Sequence, residues 1–225
     1  MKDLNRRAWK GLAQFLLALA CLLFVPAWNL HYWQAWWYLA VFGGCVLAIT
    51  IDLMRNDPAL LERRLSAGPA AEKEKSQKLI QALAAAAFVS LYVLSALDYR
   101  FHWSFVAPFA VEVGDLMVAL GFLIIGIVFK ENSYTSATVE VGEEQEIVTS
   151  GPYSVVRHPM YAGALIMLLG TPPALASWWG ELMVVVIAGV IVWRLIEEEK
   201  FLAKNLRGYE EYTKEVRSRL IPGIF

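Results

Sequence analysis

Three polar stretches of this chain carry residue types that could do chemistry. QEIVTSGPY (145–153) reads as a short extended piece closing in a Gly-Pro turn. RHPMY (157–161) sets His158 immediately before Pro159. Proline is tolerated in the first turn of a helix because the N–H it lacks would be unpaired there anyway. The spacing therefore predicts a helix beginning at Pro159, with His158 at its mouth beside free backbone N–H groups. Such an end suits a carboxylate or another anion. The third stretch is WRLIEEEKFLAKNLRGYEEYTKEVRSRLIPGIF (193–225), where Arg194 and Glu198, four apart, share one helix face. Taken singly, each signal has a plain structural reading. A run of glutamates commonly ends an apolar helix as a solvated face, and an interfacial histidine is commonly structural.

The elements that position these stretches are apolar. Of 225 residues 58% are hydrophobic and only 18% charged, against about a quarter charged in soluble domains. With a mean hydropathy of +0.47, the chain reads as an all-α integral membrane protein. Nine Trp and nine Tyr suit interfacial belts. A net charge of −1 and the lack of a basic stripe leave no basis for a nucleic-acid partner. Cys21 and Cys45 sit in apolar runs with no metal or redox spacing and read as packing residues. No metal site is expected. The basic start precedes an apolar run without a clear cleavage motif, so that run reads as a first anchor.

A spanning helix needs about 20 mostly apolar residues. Residues 12–28, 33–53, 79–97 and 108–129 qualify, with a charged stretch at 54–78. Residues 159–193 are apolar again but too long for one ordinary span. GTPPALASWWG (170–180) breaks them near the middle, which favours a helical hairpin over one kinked span. The reading is about six membrane segments, the last two a hairpin, with a cofactor loop and C-terminal amphipathic helices on one face. That count leaves every basic residue except Arg100 on the side of the two termini. Basic residues gather on the cytoplasmic side, so both termini are expected in the cytoplasm, at a bacterial inner membrane. The chain reads as one domain: 1–130 a four-span bundle, 131–225 the cofactor-binding and catalytic region.

In this order and spacing, G-P-Y-x-x-x-R-H-P-x-Y-x-G, an apolar hairpin, R-x-x-x-E-E-x-x-L, G-Y-x-x-Y and R-L-I-P resemble the isoprenylcysteine carboxyl methyltransferase family. That family is related to the membrane phospholipid N-methyltransferases. The resemblance covers roughly 130–225; DPALLERR (57–64) adds a weaker echo of bacterial members. It implies a membrane methyltransferase that uses S-adenosylmethionine without a Rossmann domain, in agreement with the missing G-x-G-x-x-G. By motif position it implies cofactor binding by Gln145, Glu146, Ile147, Val148, Tyr153, His158, Pro159, Met160, Tyr161 and Glu198. Position 145 is often His in eukaryotic members, so Gln145 departs from the pattern. Arg194 matches the arginine that faces the substrate.

These residue types suit the implied chemistry. Methyl transfer from a sulfonium is an in-line displacement that rests on positioning and electrostatics. Glu198 can hold an ammonium or ribose hydroxyls, His158 a carboxylate, and Tyr153 and Tyr161 offer ring faces. Arg194 can pair with an acceptor carboxylate in bidentate fashion. The implied partner is a lipophilic or lipidated substrate in the membrane lipid. Carboxylate, phospholipid amine and small thiol all remain open as acceptors. Gly151 and Gly163 read as structural, Arg157 as either, and Tyr209, Tyr212 and Arg219 as clamps on the C-terminal tail. The rival readings are a sterol-reductase-like enzyme using NADPH and a non-catalytic scaffold.

Overall fold

Long apolar runs without internal charge must satisfy their own backbone hydrogen bonds in lipid, and helices do so. The structure, a computed structural model, describes residues 2–65, 75–135 and 147–225, and among them there is no strand. The helices are α1 (Lys2–Ala27), α2 (Trp33–Asn56), α3 (Pro58–Leu65), α4 (Lys75–Phe101), α5 (Pro108–Glu131), α6 (Pro159–Ala174), α7 (Gly180–Asn205) and α8 (Tyr209–Glu215). A 3-10 turn, Gly151–Ser154, precedes α6. Four of them, α1, α2, α4 and α5, are long and apolar enough to cross a membrane. Each overruns its expected span where a polar flank continues the helix: α1 at its start, α2 and α5 at their ends and α4 at both; α1 begins at Lys2 and carries Pro26 within its last turn.

The apolar stretch 159–193 is a hairpin. Pro172 and Pro173 sit in the last turn of α6, and the chain turns at Leu175–Trp179 before α7. Sixteen residues make α6 about 24 Å long, less than a full hydrocarbon thickness. α6 lies antiparallel against α5, its most extensive neighbour, while α7 packs on α4.

The α5–α6 contact is backbone against backbone. Gly114 and Gly121 of α5 oppose Gly170 and Gly163 of α6, so that a Cβ at Gly121 would stand 2.5 Å from the Gly163 carbonyl oxygen. A Cβ at Gly114 would meet the Ala174 nitrogen at 2.5 Å. In lipid, where apolar side chains gain little by meeting each other, such small-residue seams supply helix association.

The far end, away from both termini, is tied by Asp98. Its fully buried carboxylate accepts Ser104 N–H (2.8 Å), Ser104 Oγ (2.5 Å), Ser177 Oγ (2.7 Å) and Trp179 N–H (3.3 Å). One side chain thereby joins the α4–α5 loop to the turn of the hairpin. Trp28, Trp33, Trp103, Trp178 and Trp179 stand exposed around that end, as an interfacial belt would. Cys21, read as a packing residue, is exposed on α1; an apolar thiol is as well placed against lipid as in a core.

Candidate functional site

The described parts of the three polar stretches, 147–153, 157–161 and 193–225, meet at the other end of the bundle. α6 starts as expected, with Pro159 in its first turn and His158 as its N-cap. The C-terminal tail then folds back over this start. Arg157 N–H donates to the Ser218 carbonyl and His158 N–H to the Arg219 carbonyl, both at 2.9 Å. The N–H groups expected to be free for an anion are therefore partly taken by tail carbonyls, a correction that follows from the tail's return.

Glu199 holds this crossing together. Its Oε1 accepts Arg157 Nε at 2.7 Å and faces His158 Nε2 at 3.2 Å; its Oε2 accepts Arg219 Nε at 2.9 Å. Arg157 also donates to the Val216 and Arg217 carbonyls. Burial alone would raise the Glu199 carboxyl, but the bonds from His158, Arg157 and Arg219 outweigh it and hold the pKa down at about 2. Arg157 is accordingly a structural ligand of the tail, and Arg219 is a clamp. Tyr212 acts likewise by donating to the Tyr153 carbonyl at 2.7 Å.

Glu198, one residue earlier, belongs to a second network. The Tyr161 hydroxyl donates to Glu198 Oε2 (2.7 Å) and accepts from Arg194 Nε (2.8 Å). One phenol thus bridges a carboxylate and a guanidinium on successive turns of α7. The His158 and Tyr161 rings lie 5.7 Å apart. On the loop side, Tyr153 accepts from Asn132 Nδ2 at 3.0 Å, and burial pushes its hydroxyl up to about 12, so it stays a neutral phenol.

Ile147 packs with Tyr153, Leu206, Tyr209 and Tyr212 under the α7–α8 elbow, and Val148 beside it is half-buried. Met160 is turned the other way, into a cluster with Leu60, Leu61 and Phe129. Gln145 and Glu146 lie outside the described residues. Gly151 has φ +55°, and a Cβ there would meet Glu131 Cδ at 2.8 Å, so the turn requires glycine. Two features escaped the sequence reading, which took Tyr209 only as a clamp on the tail. Tyr209 is only 4% exposed, and its hydroxyl has no partner among the described residues. Arg64 on α3 reaches Met160, with Nη1 3.8 Å from Sδ. The DPALLERR stretch was the only signal for the latter.

Comparison with known proteins agrees with this half of the molecule. The phospholipid methyltransferase family matches residues 109–208. A probable protein-S-isoprenylcysteine O-methyltransferase of Oryza sativa subsp. indica is 31% identical over 121 residues, 50% of this chain and 61% of that protein. The protein-S-isoprenylcysteine O-methyltransferase of Schizosaccharomyces pombe is 31% identical over 118 residues, 44% of this chain and 47% of its own. A Delta(14)-sterol reductase of Mus musculus is 32% identical over 91 residues, 39% of this chain and 22% of its own. The chain thus spans about three-fifths of the length of the first of these relatives and about half of the second. The family resemblance read from the motifs is supported at modest identity.

Proposed function

We propose that this membrane protein, isoprenylcysteine-methyltransferase-like in its C-terminal half, is an S-adenosylmethionine-dependent methyltransferase. Its acceptor is a carboxylate on a lipophilic or lipidated molecule, and α6 and α7 complete six membrane segments with both termini cytoplasmic. The observation that carries the reading is the Arg194–Tyr161–Glu198 bridge, which sets an anion-binding group beside a cation-binding group.

The residues fit such a methyl donor. Glu198 Oε2 accepts only Tyr161 among the described residues, leaving acceptor capacity for an ammonium or a ribose hydroxyl. The buried Tyr209 hydroxyl, without a partner among the described residues, lies close enough to Glu199 and Glu198 to feel their charge, and a ligand polar atom would satisfy it. When bound, S-adenosylmethionine supplies a sulfonium methyl group that passes in line to an acceptor oxygen as the C–S bond breaks. Arg194 would hold the acceptor carboxylate and present one oxygen to that methyl group. Tyr161 fixes the Arg194 rotamer through its hydroxyl, so little reorganisation is needed when the acceptor arrives. Glu199 holds the tail closed over His158 and keeps the wall of the site in place.

Calorimetry of the detergent-solubilised protein with S-adenosylmethionine and with NADPH separates this reading from a reductase. Micromolar binding of the first and none of the second is expected; the reverse would overturn it. Radiolabelled methyl transfer to membrane extracts then identifies the acceptor by its labelled product, a base-labile ester if the acceptor is a carboxylate.

A further inference from the structure

α2 and α5 run side by side in the same direction, toward the end of the bundle that carries both termini. Near their middle the Phe42 and Phe122 rings meet edge to face at 4.8 Å. At the terminal end Leu53 and Phe129 share one buried cluster. Between these contacts several facing residues are small: Cys45 and Ala48 on α2, Ala119 and Gly126 on α5. A Cβ at Gly126 would only just reach Ile49, at 3.9 Å. The helices leave a cleft of about 470 Å³, with exposed Leu123 and Ile127 in its lining. Ligand sites run from about 300 to 1,000 Å³.

The cleft has the depth of one leaflet. From Ala119 to Lys130 α5 advances about 16 Å, roughly half of a hydrocarbon core of about 30 Å. Its lining is apolar except for Asp52 of α2 and Lys130 of α5, both near the terminal end. Neither belongs to an ion pair among the described residues. Asp52 Oδ1 accepts Asn56 Nδ2 at 2.7 Å, which leaves Oδ2 to accept another donor. A carboxylate and an ammonium at the mouth of one apolar cleft match a head that carries both charges. An anionic head would face Asp52, and a quaternary ammonium has no N–H to give it.

We propose that this cleft holds one phospholipid with a zwitterionic, primary-amine head. An acyl chain lies between α2 and α5, the phosphate meets Lys130, and the ammonium donates to Asp52. Arg194, Tyr161 and Glu198 do not line the cleft, so the lipid is a resident ligand and not the methyl acceptor. The site stands whether or not the chain transfers methyl groups. Lys130 adjoins Glu131, which accepts the Ser150 hydroxyl, so the bound head steadies the end of α5 that carries the Gly-Pro turn.

The test is native mass spectrometry of the full chain in neutral detergent. It is offered equimolar phosphatidylethanolamine, phosphatidylcholine and phosphatidylglycerol with the same acyl chains. Wild type should retain one phosphatidylethanolamine roughly 10-fold above either competitor, the scale of one charge-assisted bond. Asp52→Asn keeps an oxygen for Asn56 and should bring phosphatidylethanolamine down to the level of phosphatidylcholine. Lys130→Gln should weaken all three lipids, and Gly126→Leu, which fills the cleft, should retain none. Unfolding of the variants close to wild type in lipid-free detergent separates loss of lipid from loss of fold. A wild type without head preference, or one that prefers phosphatidylglycerol, would overturn the inference. So would a preference that Asp52→Asn leaves unchanged, or a dimer that closes the cleft against lipid. Methyl label passing from S-adenosylmethionine to the bound amine would make the lipid an acceptor and overturn its resident role.

Discussion

Glu198 and Glu199 are consecutive on α7 and serve different networks. Glu199 binds Arg157, His158 and Arg219 and so fastens the tail, while Glu198 accepts the Tyr161 hydroxyl at the proposed ligand position. Substitution should separate them. Glu199→Gln is expected to lower the apparent unfolding temperature by roughly 5–15 °C, because it leaves two guanidinium groups short of a partner. Glu198→Gln should unfold close to wild type yet bind S-adenosylmethionine roughly 10-fold or more weakly. Thermal unfolding and calorimetry on the two variants check this division.

The depressed Glu199 carboxyl also sets an acid dependence. Its folded pKa of about 2 lies below the ordinary 4.5, so folding favours the ionised form. The stability it contributes is complete above about 4.5 and is lost as the pH falls from there through about 2. Unfolding midpoints measured from pH 6 to pH 2 should fall steeply in wild type. In Glu199→Gln the slope over that window should be shallower.

Arg194→Ala should leave S-adenosylmethionine affinity within about 3-fold and lower turnover by roughly 100-fold, the scale for removing a group that orients charge in the transition state. Single-turnover methyl transfer beside a binding isotherm reads both quantities. A folded Arg194→Ala protein that no longer bound cofactor would reverse the assignment of roles.

The glycines of the α5–α6 seam should not tolerate a methyl group. Gly121→Ala and Gly114→Ala press a Cβ onto backbone atoms and are expected to destabilise by roughly 1–3 kcal/mol each. Gly44→Ala and Gly189→Ala open onto free space and should be neutral or slightly stabilising. Unfolding in a denaturing-detergent titration distinguishes the two pairs.

Asp98→Asn replaces one acceptor oxygen with a donor facing donors. It should loosen the far-end loops, seen as faster proteolysis near residues 102–107, and leave S-adenosylmethionine binding at the opposite end unchanged.

Much of this architecture was legible in the sequence, for local reasons. Pro159 marks a helix start through chemistry confined to its own ring, and the Pro172–Pro173 pair lies just before the hairpin turn. The meeting of RHPMY with RLIEEE was also readable, through the family's spacing. What stayed hidden depends on partners remote in the chain. Nothing in the run EEE tells which carboxylate faces the tail, because that is decided by where residues 216–219 return. Asp98 carries no local signal, since Ser104 and Ser177 become its partners only when two loops meet. Arg64 carried no signal beyond the DPALLERR stretch; its inward turn follows from sharing one face of α3 with Leu60 and Leu61, which pack at the same Phe129.

The seam between α5 and α6 has a bearing on motion. Two helices whose backbones touch cannot slide or part without losing the contact along its whole length, so this pair works as a stator. α6 carries Met160 and Tyr161, and α5 carries Phe129 and runs on to Asn132 beside Tyr153; these positions are fixed to one rigid piece. Any rearrangement at this end of the bundle therefore falls to the elements around that piece, among them α3 and the returning tail.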